Sequence, residues 1–127
     1  MKKLVIIPAR SGSKRLPNKN LKLLDSKPLI MHSVDIAREI FNDNEICIST
    51  DSTKIKAVVE KSGLNVPFLR PQELAQDTSS TEEVLIHALN WYNNNGYEPD
   101  MIILLQPTSP FRQLKDCLLY TSPSPRD

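Results

Sequence analysis

The chain has 127 residues, which is enough for one domain. Its 16 lysines and arginines against 15 acidic residues give a formal net charge of +1, which excludes a general attraction to nucleic acid or to membrane surfaces. No apolar stretch is long enough to span a membrane. Outside segment 117–127 the one cysteine is Cys47, so we expect no disulfide and a reducing, cytoplasmic location.

Short apolar runs alternate with amphipathic stretches along the chain. Ile30, Val34 and Ala37 recur at helical spacing, and Ser80 with Glu83 forms a capping box. The predicted elements, in chain order, are a strand at 3–7, a short turn or strand at 21–24, a helix at 28–41, a strand at 45–49, a helix from Asp51 or Ser52 to Gly63, a strand at 66–69, a helix from Ser80 to 93–96, a strand at 101–105 and a helix from Pro110.

This alternation predicts an α/β fold with a parallel sheet between two helical layers and right-handed crossovers. Ligands bind such sheets beyond the carboxyl ends of the strands. Polar motifs follow each predicted strand: residues 10–20, 49–51, 70–71 and 106–112. We therefore expect a binding site at this edge of the sheet.

The loop after the first strand carries the strongest chemical signal. Residues 7–20 read IPARSGSKRLPNKN, and Pro8 lacks the N–H that would continue strand pairing. Small residues around Gly12 let the backbone approach a ligand, while the cationic side chains neutralise negative charge. The loop contains neither G-x-G-x-x-G nor G-x-x-x-x-G-K-[ST]. The loop therefore predicts a triphosphate site that differs from both the dinucleotide-binding type and the Walker type.

The order P-A-R-x-x-S-K-R-L-P-x-K-N resembles the signature of sugar-activating nucleotidyltransferases. It is closest to the cytidylyltransferases that activate nonulosonic acids, of the acylneuraminate type and its legionaminic relatives. The resemblance continues through STD at 49–51, RPQELAQDTSS at 70–80 and LLQPTSPFR at 104–112, and it spans residues 4–116. It implies a Rossmann-like, three-layer nucleotidyltransferase fold.

One segment separates this family from its relatives. The 3-deoxy-manno-octulosonate cytidylyltransferases carry a Q-G-D-E-P-like segment with a carboxylate able to meet magnesium. Residues 106–110 here read QPTSP, without a carboxylate, which favours the acylneuraminate type. Enzymes for 3-deoxy-manno-octulosonate, legionaminic or pseudaminic acid stay as alternatives, and so does a non-catalytic nucleotide-binding module.

The resemblance also implies roles for individual residues. Arg10 and Lys19 would be catalytic, stabilising charge as pyrophosphate leaves. The cytosine or ribose would be recognised by Arg70 together with Ser80 and Thr81. The remaining implied contacts are Ala9, Ser13 and Lys14 at the phosphates, Asn20 at the ribose or a phosphate, and Gln106, Thr108 and Ser109 at the sugar acid.

Other polar residues have ordinary structural explanations. Asp51 serves equally well as a helix cap or as a site residue. His32 and His87 lie on predicted helices without metal-ligating neighbours. No metal ligand is therefore predicted within the chain.

The implied reaction joins CTP to a nonulosonic acid, giving a CMP-sugar for cell-surface glycans and pyrophosphate. In the family, the magnesium ligands and the homodimer contacts lie in a second half of the protein. We therefore expect this chain to be a C-terminally truncated and inactive fragment whose Mg²⁺ ligands lie elsewhere.

The C-terminal segment stands apart from this resemblance. Residues 117–127 read CLLYTSPSPRD, which resembles the translation of a sequencing adapter. Pro123 and Pro125 also fit no helix or strand begun before them. We therefore expect a partial cytidylyltransferase domain at 1–116 followed by a non-native tail at 117–127.

Overall fold

The computed structural model describes residues 2–11, 19–76, 80–106 and 118–121. Its strands and helices alternate along most of the chain, with single 3₁₀ turns at Lys19–Leu21, Asp43–Glu45 and Gln72–Leu74. The strands are β1 (Lys3–Pro8), β2 (Leu23–Leu24), β3 (Lys27–Pro28), β4 (Ile46–Ser49), β5 (Met101–Leu104) and β6 (Leu118–Thr121), and the helices are α1 (Leu29–Ile40), α2 (Thr53–Lys61) and α3 (Thr81–Asn94).

The main sheet has the strand order β4-β1-β5-β6. Strand β1 pairs in parallel with β4, where Ile7 lies opposite Ile48, and with β5, where Ile6 lies opposite Leu104. The carboxyl ends of three parallel strands therefore meet at one edge. Strands β2 and β3 form a separate small hairpin.

Alternate residues of the central strands are buried on opposite faces of the sheet. Val5 and Ile7 pack in one apolar cluster with residues of α1 and α2, whereas Leu4 and Ile6 pack in another with residues of α3. A period of two places successive side chains on opposite faces of a strand. Both faces are therefore covered, which confirms the predicted three-layer α/β fold.

Local signals predicted the helix boundaries well. Ser52 is the N-cap of α2, because its Oγ accepts a hydrogen bond from the Ile55 N–H at 3.2 Å. Ser80 and Glu83 form the predicted capping box at α3. Gly63 follows α2 with φ +98°, a conformation that glycine adopts without a Cβ penalty.

The predicted strand at 66–69 is wrong. The segment is extended, but Pro67 cannot donate to a ladder, and the Val66 N–H donates to the Glu60 carboxylate at 3.2 Å instead. Val66 is nevertheless buried in the cluster with α1 and α2. The apolar run thus marked the burial of Val66, but not the exposure of Leu69, which is 40% exposed, nor the backbone pairing.

The C-terminal segment contributes a strand that the sequence did not predict. Strand β6 pairs antiparallel with β5, with Leu119 opposite Ile103, so the sheet is mixed rather than wholly parallel. The strand ends at Thr121, and the serines and prolines at 122–125 lie outside the described residues. The predicted helix from Pro110 lies outside the described residues. No helix in the described part of the chain is long and apolar enough to cross a membrane.

Candidate functional site

The carboxyl ends of β1, β4 and β5 bring three polar segments together. Beyond the ladder, the Ala9 N–H donates to the Ser49 carbonyl at 2.8 Å, and the Leu105 N–H donates to the Ile6 carbonyl at 3.0 Å. These bonds hold Ala9 beside the end of β4 and place half-buried Gln106 directly after the last paired residue of its segment. The predicted edge is therefore formed as expected.

Ser11 and Asp51 join the first two of these segments. The Ser11 N–H donates to Asp51 Oδ1 at 2.7 Å, and the Ser11 hydroxyl donates to Asp51 Oδ2 at 2.8 Å. Asp51 does not cap α2, since Ser52 does. The carboxylate instead holds the start of the loop that follows β1.

Arg70 is buried at the same edge, with 5% of its surface exposed. Its Nε donates to Ser49 Oγ at 3.1 Å, its Nη2 to the Ser49 carbonyl at 2.7 Å and its Nη1 to the Leu74 carbonyl at 3.0 Å. Its backbone N–H donates to the Thr50 carbonyl at 2.7 Å. The side chain thus connects the end of β4 to the turn at Gln72–Leu74.

Asn20 is buried beside the first loop, with 7% of its surface exposed. Its Nδ2 donates to the Arg10 carbonyl at 3.2 Å, which fixes the orientation of the amide because a carbonyl cannot donate. Its Oδ1 is buried and has no hydrogen-bond partner among the residues that the structure describes. An unpaired buried acceptor is costly, so it marks a position where a ligand donor would be stabilised.

The charges of this edge influence one another. Burial lowers the pKa of Arg70, and the nearby Arg10 cation lowers it further, while the Asp51 carboxylate raises it. Arg10, Asp51 and Arg70 therefore form one electrostatic cluster. Of these three groups two are cationic and one is anionic, so their summed charge is positive, which suits an anionic ligand.

The N-terminus of α3 is defined by its capping box. The Glu83 N–H donates to Ser80 Oγ at 3.1 Å, and the Ser80 N–H donates to Glu83 Oε1 at 3.1 Å. Ser80 and Thr81 are both exposed. In this cap Ser80 Oγ is the acceptor, and the hydrogen of the Ser80 hydroxyl is not used.

An aromatic cluster packs between α3 and the segment before Arg70. Phe68 contacts His87 edge-on with ring centroids 5.1 Å apart, and it lies 5.5 Å from Trp91. Burial, and then the Arg70 cation, lower the pKa of His87. His87 is thus kept neutral as a packing residue.

Cys47 lies in β4, where it packs in the apolar cluster with residues of α3, and it is fully buried. Burial raises the pKa of its thiol to about 12, despite a hydrogen bond with Tyr92 that lowers it. A thiol with so high a pKa is a poor nucleophile at neutral pH. Cys47 is therefore a core residue.

Among the described residues, no group of three or more His, Cys, Asp or Glu side chains could hold a metal ion. Asp51, the carboxylate at the sheet edge, has both oxygens hydrogen-bonded to Ser11. These residues do not fit a magnesium site. The expected magnesium ligands remain a prediction.

Several predicted site residues fall outside what the structure describes. These are Ser13, Lys14, Thr108 and Ser109, and for Lys19 only the backbone, in a 3₁₀ turn, is described. Sequence reasoning gave no individual role to Ser11, Ser49 or Thr50. The signal for the last two was present, since they belong to the STD motif at the end of a buried strand.

A protein-family model described as cytidylyltransferase matches residues 4–119. The chain belongs to the cytidylyltransferase family. It is 46% identical over 113 residues to the CMP-N,N'-diacetyllegionaminic acid synthase of Legionella pneumophila, covering 89% of this chain and 49% of that protein. It is 44% identical over 109 residues to an N-acylneuraminate cytidylyltransferase of Escherichia coli, covering 86% and 25%.

Among solved structures, the chain is similar to CMP:2-keto-3-deoxy-manno-octonic acid synthetase complexed with CTP. The TM-score is 0.73 at 28% identity, covering 91% of this chain and 44% of that one. This likeness supports the nucleotidyltransferase fold. The cytidylyltransferase chain described here spans between a quarter and a half of the length of these relatives.

Proposed function

We propose that this chain forms the nucleotide-binding part of a cytidylyltransferase that transfers CMP from CTP to a nonulosonic acid of the sialic type. The observation that carries the proposal is the convergence of Arg10, Asn20 and Arg70 at the carboxyl ends of parallel strands. Family membership and the CTP complex of a structural relative support it.

In this reaction the anomeric hydroxyl of the acid attacks the α-phosphorus of CTP. A new P–O bond forms, the bond between the α-phosphorus and the bridging oxygen breaks, pyrophosphate leaves and the hydroxyl proton passes to solvent. Arg10 and Lys19 would neutralise the charge that develops on the leaving group, and the loop with Ser13 and Lys14 would hold the phosphates. The protein mainly aligns the reactants.

Asn20 supplies a specific contact in this proposal. Its Nδ2 is occupied by the Arg10 carbonyl, and its buried Oδ1 can only accept. A phosphate oxygen at neutral pH mostly accepts as well, whereas a ribose hydroxyl can donate. We therefore assign Asn20 to the ribose of the nucleotide.

The proposed function also requires a site for the sugar acid and a site for the metal. Gln106, Thr108 and Ser109 would face the acid, and identities of 46% and 44% to legionaminate and neuraminate relatives leave both acids as substrates to test. Magnesium, which supplies charge neutralisation in phosphoryl transfer, would be held outside the described residues. Homodimerisation is likewise proposed for the longer protein.

The decisive experiment measures nucleotide binding by the 127-residue chain with calorimetry, comparing CTP with UTP, GTP and ATP. We expect measurable binding of CTP and at least tenfold weaker binding of the others. Pyrophosphate release is then assayed with N-acetylneuraminate, diacetyllegionaminate, pseudaminate and 3-deoxy-manno-octulosonate. CTP binding without turnover is the result expected of an inactive fragment, and equal binding of all four nucleotides would contradict the proposal.

A further inference from the structure

The contact between Ser11 and Asp51 joins residues that are far apart in the sequence but adjacent at the sheet edge. Both donors of Ser11 reach the two oxygens of one carboxylate, at 2.7 and 2.8 Å. A pair of charge-assisted bonds fixes orientation as well as distance. Because Ser11 directly follows Arg10, this contact determines where the cationic loop begins.

The contact between Ser11 and Asp51 lies just beyond the point where backbone pairing between β1 and β4 ends. Pro8 is opposite Ser49 at the last position of the ladder, and the Ala9 N–H donates to the Ser49 carbonyl. Beyond that point the Asp51 side chain connects the two segments through its hydrogen bonds to Ser11. Asp51 therefore extends the alignment of β1 and β4 into the loop.

Helix capping does not account for Asp51. Ser52 Oγ accepts from the Ile55 N–H, and the Ser52 N–H donates to Thr50 Oγ1 at 3.1 Å. The carboxylate is half-buried and lies toward the first loop. Its charge has a second effect, since it favours the Arg70 cation that the neighbouring Arg10 disfavours.

A carboxylate beside a triphosphate site needs a physical reason, because like charges repel. Here both oxygens are used by Ser11, and the negative charge lets two guanidinium groups share one edge. We infer that Asp51 is a positioning residue, which sets the Arg10 loop for the nucleotide without contacting it. This inference rests on the proposed function.

The test uses the 127-residue chain with three substitutions: Asp51→Ala, the isosteric Asp51→Asn, and Ser52→Ala as the control. Ser52→Ala removes a polar group from the adjacent position and weakens the α2 cap, but it leaves the carboxylate contact intact. Three quantities are measured for each: the exchange rate of the Ser11 amide by NMR, the Kd for CTP by calorimetry, and the thermal midpoint.

We expect Asp51→Ala to accelerate Ser11 amide exchange and to raise the Kd for CTP about tenfold. Asp51→Asn should give intermediate values, because its Oδ1 can still accept from the Ser11 N–H. Ser52→Ala should lower the midpoint without changing the other two quantities. If Asp51→Ala does not fold, the Asn variant decides.

The sign of the change in Kd separates the alternatives. If the carboxylate only repelled the triphosphate, its removal would tighten CTP binding, and the inference would be overturned. Unchanged exchange at Ser11 would overturn it as well, as would an unchanged Kd. If the wild-type chain binds no CTP, the proposed function fails, and Ser11 exchange alone then supports or rejects the anchoring role of Asp51.

Discussion

Arg70 and Ser49 are joined by two hydrogen bonds, one from Nε to Ser49 Oγ at 3.1 Å and one from Nη2 to the Ser49 carbonyl at 2.7 Å. The guanidinium also reaches the Leu74 carbonyl. One buried side chain therefore holds the end of β4 against the turn that follows the extended segment before Arg70. This connection sets the shape of the sheet edge before any ligand is bound.

Substituting this side chain should destabilise the fold strongly. Arg70→Ala removes the donor to Ser49 Oγ and to the part-buried Leu74 carbonyl, and one of the two donors to the Ser49 carbonyl, so we expect a loss of about 3 kcal/mol in the free energy of unfolding. Arg70→Lys should recover only part of it, because an ammonium lacks the planar fork of the guanidinium. Chemical denaturation of each variant gives the values.

A matched control is Arg38, which also makes several bonds but is more exposed. Its Nε and Nη2 donate to the Asp43 carboxylate at 3.0 Å, and its Nη1 donates to the Ser62 carbonyl at 2.9 Å. Arg38→Ala should cost about 1 kcal/mol. An equal loss for the two arginines would contradict the importance we assign to burial at Arg70.

Asn20→Asp keeps an acceptor for the ribose hydroxyl, and it tests whether Asn20 lies beside the nucleotide phosphates. The change replaces the amide donor to the Arg10 carbonyl with an oxygen and adds negative charge near the triphosphate. We expect the Kd for CTP to rise at least about tenfold. Calorimetry measures this, with the thermal midpoint recorded to separate binding from folding.

Asn95→Asp is the control for that substitution. Asn95 also donates its Nδ2 to a backbone carbonyl, that of Trp91 at 2.7 Å, but it lies exposed at the C-terminal end of α3. The same chemical change there should cost about 0.5 kcal/mol of stability and leave CTP binding unchanged. A comparable weakening of CTP binding in both variants would argue against a direct role for Asn20.

Two substitutions at Ser80 separate its capping role from its predicted nucleotide contact. Ser80→Ala removes the acceptor for the Glu83 N–H and should lower stability by about 1 kcal/mol. Ser80→Asp keeps an N-cap acceptor, so stability should be preserved. If the nucleotide lies near this helix end, the added charge should weaken CTP binding. Unaltered binding by the Asp variant would restrict Ser80 to capping.

His87 provides a test of pH dependence. Its pKa lies below the ordinary value of 6.5, so the neutral ring is favoured in the folded state. The resulting stability is fully present above the unfolded pKa of about 6.5 and is lost as pH falls through the lower folded pKa. His87→Phe, which retains a ring against Phe68, should lose less stability than the wild type between about pH 7 and 5.

NMR titration of the His87 ring checks the same point directly. A midpoint at or above 6.5 would contradict the role of burial and of Arg70 in keeping the ring neutral. His32→Gln removes the second histidine signal and makes the assignment unambiguous.

The sequence alone determined the features that depend on nearby residues. Short apolar runs placed β1 and β4, helical spacing placed α1, and the Ser80 capping box began α3. The order of motifs identified the family, which the family match over residues 4–119 confirmed. These signals are local or collinear with the chain, so no knowledge of packing is needed to recognise them.

Only the tertiary structure decided which distant polar groups meet. Asp51 was equally compatible with capping α2, until the contact with Ser11 showed which partner it has. The extended segment at 66–69 lost its expected ladder because Pro67 cannot donate, while β6 paired with an available edge of β5. Hydrogen-bond partners across tens of residues depend on how the sheet and loops assemble, and sequence spacing does not encode that geometry.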